Sequence, residues 1–257
     1  MTQPVNSRIT YLSPPADVNM GDKWFEIASL DHFWIMRRFE VLTKVADDLV
    51  RGAASIAEVG CGHGLLQRQI EDHYHREVTG FDLNELALRQ TASLTSPVCC
   101  YNLFHQNPAY KGRFDLVFLF DVLEHLDDED TFIKAIQFHM TPKGRIVVNV
   151  PALQTLYSNY DKAVGHVRRY NNAGLRRVAE RNGMKVGPWS YWGFSMIPLL
   201  LLRRFWQLGQ SPEKIISSGF DTGGPFMNRM LLLLSQLEPM PQQILGSSLM
   251  AVLEPAN

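Results

Sequence analysis

Three glycines alternate in Glu58-Val59-Gly60-Cys61-Gly62-His63-Gly64, directly after the short apolar run Ser55 to Val59. Glycines at alternate positions let a chain turn sharply after a strand and let backbone approach a ligand closely. Asp82 lies 20 residues beyond Gly62, at the end of a second short run, Glu77 to Phe81. A carboxylate at that place accepts two ribose hydroxyls. The glycine spacing is GxGxG, followed by Leu65. A pyrophosphate cradle needs its third glycine one residue later. Glu58, directly before the glycines, repels phosphate and attracts an ammonium group. A nucleoside with a cationic amino-acid tail satisfies all three conditions, and S-adenosylmethionine is such a molecule.

Two histidines stand where acid–base chemistry is possible. His125 closes Asp121-Val122-Leu123-Glu124-His125, and His166 lies in Gly165-His166-Val167-Arg168-Arg169-Tyr170. Displacement at a sulfonium methyl gains much of its rate from positioning and exclusion of water. A hydroxyl acceptor must also lose a proton, which suits histidine near neutral pH. Residues 161 to 185 hold seven Lys/Arg against two acids. Two readings of this stretch stand side by side. In one, His166 is a base or hydrogen-bond donor in a substrate pocket and an arginine binds an anionic group. In the other, Arg168 and Arg169 tie a loop down. His63, His73, His75, His105 and His139 have no partners visible in the sequence.

These residues need a scaffold. Strand-like runs at 55–59, 77–81, 97–101, 114–120 and 145–150 alternate with helical patterns at 65–74, 85–93 and 130–138. FDLVFLF (114–120) and RIVVNV (145–150) are apolar on both faces, as inside a parallel sheet. Alternation of this kind predicts an α/β fold, a mostly parallel, doubly wound sheet with helices on both faces. Residues 24–50 predict one or two amphipathic helices, the second capped by Asp31. Residues 1–20 read as a loosely docked lead-in. Pro142-Lys143-Gly144 reads as a turn. Asn171 or Asn172 caps a helix to Arg181, and 184–192 and 246–253 read as strands.

The stretches 193–209 and 226–237 are very apolar but too short to span a bilayer. A lid or core element, a homodimer interface and a membrane-surface element remain open for them. The chain has 257 residues, 25 Lys/Arg against 26 Asp/Glu and three cysteines, Cys61, Cys99 and Cys100. Near-neutral charge without a basic stripe argues against nucleic acid. The sparse cysteines form neither a disulfide framework nor a zinc spacing. With no signal-like start, a cytoplasmic protein of one domain is expected: a helical cover (1–50), a cofactor-binding core (51–192), an apolar helical insertion (193–245) and a last strand (246–257).

The stretches EVGCGHG, VTGFDLNELAL, FDLVFLFDVLEHLDD and TPKGRIVVNVPA resemble the class I S-adenosylmethionine-dependent methyltransferases, over about residues 30 to 190. The branch they resemble is the small-molecule, ubiquinone-biosynthesis-like one. The resemblance implies a Rossmann-like, seven-stranded sheet in the order 3-2-1-4-5-7-6 with strand 7 antiparallel, and S-adenosylmethionine as cofactor. It places Glu58, Gly60, Cys61, Gly62 and Gly64 around the methionine end, Asp82 on the ribose and Leu83 on adenine. Asn102 stands near the adenine amino group, where many relatives have Asp, and Asp121 borders methionine and substrate. His32-Phe33-Trp34 with Arg38 resembles an HFW…R segment, so Arg38 either pairs with the cofactor carboxylate or is a surface arginine. Metal-dependent O-methyltransferases of the ubiquinone-biosynthesis type carry ExxEH near position 121, with magnesium on its acidic residues and histidine. This chain has Asp121 in the first place, and no metal is expected. The expected reaction is methyl transfer to a small-molecule acceptor, at oxygen, with His166 and His125 as catalytic candidates. The rivals are a lipid or isoprenoid-like acceptor at a membrane surface, a cofactor-binding protein without catalysis, and a nicotinamide dehydrogenase, which the glycine spacing opposes.

Overall fold

The computed structural model describes residues 8–16, 28–207, 209–211, 214–215 and 222–256. Eight strands form one sheet: β1 (Ile9–Tyr11), β2 (Ile56–Val59), β3 (Thr79–Asp82), β4 (Val98–Cys100), β5 (Phe114–Phe120), β6 (Met140–Pro151), β7 (Met184–Trp192) and β8 (Ser248–Pro255). Their order is β1-β4-β3-β2-β5-β6-β8-β7. All neighbouring pairs are parallel except those of β8, which runs antiparallel to both β6 and β7. Without β1 this is the expected 3-2-1-4-5-7-6 arrangement. The chain winds outward from β2 through β3 to β4, then returns to the other side of β2 as β5. The carboxyl ends of β2 and β5 therefore flank a topological switch point, where ligands bind in open α/β sheets.

Side-chain alternation along β5 divides the core. Val117 and Leu119 face one layer, with Ile133 and Ile136 of α5 (Glu129–His139) and Leu175 and Val178 of α7 (Asn172–Arg181). Leu116, Phe118 and Phe120 face the other. There they meet Val41 and Leu42 of α1 (Phe33–Val45), Val50 of α2 (Asp47–Gly52), and Leu66 and Ile70 of α3 (Leu65–Tyr74). Short helices α4 (Glu85–Arg89) and α6 (Asn159–Ala163) follow β3 and β6. The insertion contributes α8 (Ile197–Trp206) and α9 (Pro225–Gln236). No helix of the described residues is long and apolar enough to cross a membrane.

Several sequence expectations need correction. Residues 9–11 of the supposed loose lead-in form an edge strand, held by β4 and by Arg8, which donates to the Ser93 and Leu94 carbonyls at 3.0 and 2.7 Å. Three residues bounded by serine and prolines give too short a pattern to register. The rest of that lead-in, the start of the 24–50 stretch and most of the linker between α8 and α9 lie outside the described residues. The cap of α1 is His32, whose Nδ1 accepts from the Trp34 amide, while Asp31 accepts from Ser29 instead. Strand β6 already starts at Met140. Its register with β5 jumps from Phe114↔Met140 to Leu116↔Arg145, so the expected turn at 142–144 is a bulge inside the strand.

Helix α4 stops at Arg89, four residues before the expected end, because the following chain wraps a carboxylate. Glu71 of α3 accepts from the Ser93 hydroxyl and from the Leu94, Thr95 and Ser96 amides at 2.7 to 3.2 Å. Burial alone would raise the Glu71 pKa, but these hydrogen bonds outweigh it and hold the carboxyl at about 2. Its stabilisation is complete above the unfolded carboxyl pKa and is lost as pH falls toward 2. Glu71→Gln is expected to lower unfolding free energy by about 2 kcal/mol at pH 7, and by much less near pH 3. Urea unfolding at the two pH values measures the difference.

Candidate active site

The glycine turn is built to meet Asp82. Gly60, Gly62 and Gly64 have φ of 74°, 53° and 72°. At Gly60 a Cβ would also fall 2.6 Å from a Val122 methyl, so the β2–α3 turn and the β5 turn close on each other only through glycine. The Gly62 amide donates to Asp82 Oδ2 at 2.7 Å, and the Asn84 amide donates to Oδ1 at 2.8 Å. These bonds aim the carboxylate while each oxygen keeps capacity for a further donor, as ribose hydroxyls require. Burial raises the Asp82 pKa and its amide bonds oppose the rise. Cys61 is buried, with its thiol pushed far up by burial, and it packs with Leu83, Leu88 and Ile9. Asn102 uses its side-chain oxygen on the Phe104 amide at 3.0 Å, and its own amide donates to Ser13.

Asp121 is the hub of the other half. It follows β5 with φ of 56°, a left-handed conformation uncommon for a non-glycine residue. Its Oδ2 accepts from Arg38 Nη1 at 2.7 Å, its Oδ1 from Asn149 Nδ2 at 2.7 Å, and its amide donates to the Asn149 carbonyl at 2.8 Å. Asn149 in turn accepts from Trp192 Nε1 at 2.9 Å, and Trp192 lies against Trp34, centroids 4.3 Å apart. Arg38 is thus buried, not a surface arginine; its guanidinium lies over Phe120 at 5.2 Å. Glu58 is buried nearby. Burial pushes its pKa up to about 8, Arg38 opposing and Asp82 adding, and its Oε2 has no hydrogen-bond partner.

Beyond Asp121 the chain makes a single 3-10 turn, Leu123–His125. The Val167 amide donates to the Glu124 carbonyl at 2.8 Å, which brings the two histidine segments together. The His125 and His166 rings meet edge to face, centroids 4.7 Å apart. His166 Nδ1 bonds Asp161 Oδ1 at 3.0 Å, and its Nε2 points toward Glu124 Oε1 at 3.8 Å. Asp161 is wholly buried. Burial would raise its pKa, but His166 and Arg169 bring it down to about 2. Arg169 grips both Asp161 oxygens at 2.8 and 3.1 Å, and Arg168 pairs with Glu129 at 3.0 Å. The arginines tie the loop down; the histidine is what they position.

A model of the family described as "Methyltransferase domain" matches residues 20–187. The chain belongs to that family. It is 26% identical over 172 residues to a Mycolicibacterium smegmatis protein described as a probable S-adenosylmethionine-dependent methyltransferase, covering 65% of each chain. It is 25% identical over 146 residues to the chloroplastic tocopherol O-methyltransferase of Arabidopsis thaliana, covering 54% of this chain and 41% of that one. The chain thus spans less than two thirds of the length of these curated relatives. A solved S-adenosylmethionine-dependent methyltransferase from Archaeoglobus fulgidus shares the fold, with TM-score 0.52, 15% identity and coverage of 91% and 95%.

The class I superfamily is thereby established for this methyltransferase domain, with S-adenosylmethionine as cofactor. The site fits that cofactor. Asp82 is an aimed acceptor for hydroxyls, and Glu58 is a buried carboxyl with an oxygen lacking a partner, suited to a cation. Sequence reading missed Asn149, Trp192 and Asp161. Asn149 was the visible one, a lone amide in the apolar RIVVNV strand. Trp192→Phe removes the donor to Asn149 and leaves a buried acceptor without a partner. It is expected to destabilise the fold by about 1–3 kcal/mol, checked by chemical denaturation, and to loosen S-adenosylhomocysteine binding through Asp121.

Proposed function

We propose that the protein transfers the methyl group of S-adenosylmethionine to an oxygen of a small-molecule acceptor. The observation that carries the reading is the cluster of buried Glu124 with half-buried His125 and His166 beside Asp121, at the carboxyl end of β5. Glu58, the glycine turn and Arg38 hold the methionine end, Asp82 the ribose, and Leu83 and Asn102 the adenine side. The sulfonium methyl lies toward Asp121, and the acceptor hydroxyl loses its proton at the histidine cluster. The O–CH₃ bond forms as the S–CH₃ bond breaks, the bond pair stays on sulfur, and S-adenosylhomocysteine leaves neutral at sulfur. The tocopherol O-methyltransferase relative supports an oxygen acceptor.

Calorimetry tests the cofactor part. S-adenosylmethionine and S-adenosylhomocysteine should bind at micromolar concentration, NAD should not, and Asp82→Ala should weaken binding at least tenfold. Absence of adenosyl binding by folded protein would overturn the reading. The raised Glu58 pKa sets a pH dependence. In the free protein Glu58 is protonated below about pH 8, and a cationic ligand requires it ionised. Affinity for S-adenosylmethionine should therefore climb from pH 6 toward pH 8, by at most roughly tenfold per pH unit, with proton release on binding. Glu58→Gln should flatten the profile. His166→Ala should leave S-adenosylhomocysteine binding intact and reduce turnover of a hydroxyl acceptor by about 10²-fold or more.

A second reading concerns the acceptor. In α8, Leu199, Leu201 and Leu202 are exposed; in α9, Phe226, Met227, Met230, Leu233 and Leu234 are; and Phe194 stands exposed in the turn preceding α8. Such a surface favours an apolar, lipid-like acceptor met at a membrane surface. Flotation with anionic liposomes, lost when Leu199 to Leu202 are changed to serine, would support it; no flotation would remove it.

A further inference from the structure

The Glu124 side chain is completely buried, and neither carboxylate oxygen has a well-formed hydrogen bond, the one polar backbone contact being its own amide. Both ring nitrogens of His125 are likewise buried without a well-formed hydrogen bond, the nearest polar contact being the Gly165 backbone. Groups of this kind are costly to bury unless something satisfies them. One ligand atom each from Glu124, His125 and His166 lies within 4.8 Å of the others. His166 is aimed from behind. Asp161 takes its Nδ1 and is itself clamped by Arg169, which leaves Nε2 facing Glu124. A carboxylate on the far nitrogen of an imidazole is the arrangement that orients metal-bound histidines.

We propose that Glu124, His125 and His166 form a binding site for one divalent transition ion, with Asp161 positioning His166. The proposal rests on the methyltransferase reading, since it names what works on the acceptor side of that site. It departs from the magnesium pattern of the metal-dependent relatives. That pattern would use position 121, and here both Asp121 oxygens are taken by Arg38 and Asn149. Two imidazoles and one carboxylate favour ions such as zinc, cobalt or manganese over magnesium, which prefers oxygen ligands. Ligand atoms around such an ion stand roughly 3 to 3.5 Å apart, so the cluster must contract slightly, within the reach of side-chain rotation. The glutamate is fully buried and the two imidazoles are partly exposed. An ion held there supplies Lewis-acid polarisation of an acceptor oxygen.

The test uses the full-length protein stripped with a chelator and then titrated with cobalt(II), read by visible absorption, and with zinc, read by calorimetry. The expected result is one equivalent bound with low-coordinate cobalt bands, displaced by zinc and not by millimolar magnesium. His166→Ala and His125→Ala should each weaken binding at least tenfold. Asp161→Asn should weaken it about tenfold while S-adenosylhomocysteine affinity stays unchanged. No cobalt or zinc binding by the unaltered folded protein would overturn the proposal. So would binding that both histidine variants retain. S-adenosylhomocysteine calorimetry on the same stripped sample keeps the outcomes apart: adenosyl binding without metal binding sinks this site alone.

Discussion

The ion pair between Arg38 and Asp121 ties together, at the mouth of the switch point, the helical cover and two neighbouring strands that already pack on one another. Arg38 comes from the helical cover, Asp121 from the end of β5, and Asn149 from β6 completes the carboxylate's shell. Holding a non-glycine residue at φ of 56° costs roughly 1–3 kcal/mol. Charge-assisted hydrogen bonds contribute about 1.5–3 kcal/mol each, and Asp121 makes two. The strained turn is therefore held by its own side chain. Were the pair absent, the chain after β5 could relax, and Glu124 and His125 would lose their place beside His166.

The charges around the switch point are mostly carboxylates. Glu58, Asp82 and Asp121 converge there, with Arg38 as their counter-charge. Such a site favours a cation over a pyrophosphate, as the glycine spacing also implied. Keeping three ionised carboxylates close without a ligand would be unfavourable, and the raised pKa of Glu58 relieves it. On the proposed reading, Glu58 is a neutral carboxyl in the free protein and ionises when the positive ligand arrives.

Much of this was legible in sequence because it depends on local chemistry. The glycines and Asp82 sit on consecutive strands, so the turn that meets Asp82 could be read from one short stretch. Helix α3 and strand β7 were read to the residue because each has clear edges, Gly64 before the one and Gly183 before the other. The acceptor half was only partly legible. His125 and His166 stood out singly, but their meeting depends on a backbone bond from Val167 to Glu124 across 43 positions of chain. Asp161 was hidden because nothing in its local sequence marks it; in the structure it closes a capping box with Ser158 and also holds His166. Arg38 was ambiguous for the same reason: its partner is 83 residues away.

Fold likeness carries the cofactor further than it carries the acceptor. The proposed cofactor half uses backbone turns and two carboxylates, Glu58 and Asp82, that the strand–turn–helix pattern itself places. The acceptor half is made by segments that the fold leaves free to vary: the turn after β5, the loop after β6 and the insertion between β7 and β8. In this chain those segments hold a buried carboxyl and two imidazoles on one side and exposed leucines on the other. On the proposed reading, the first bears on the atom to be methylated and the second on the polarity of the molecule that bears it.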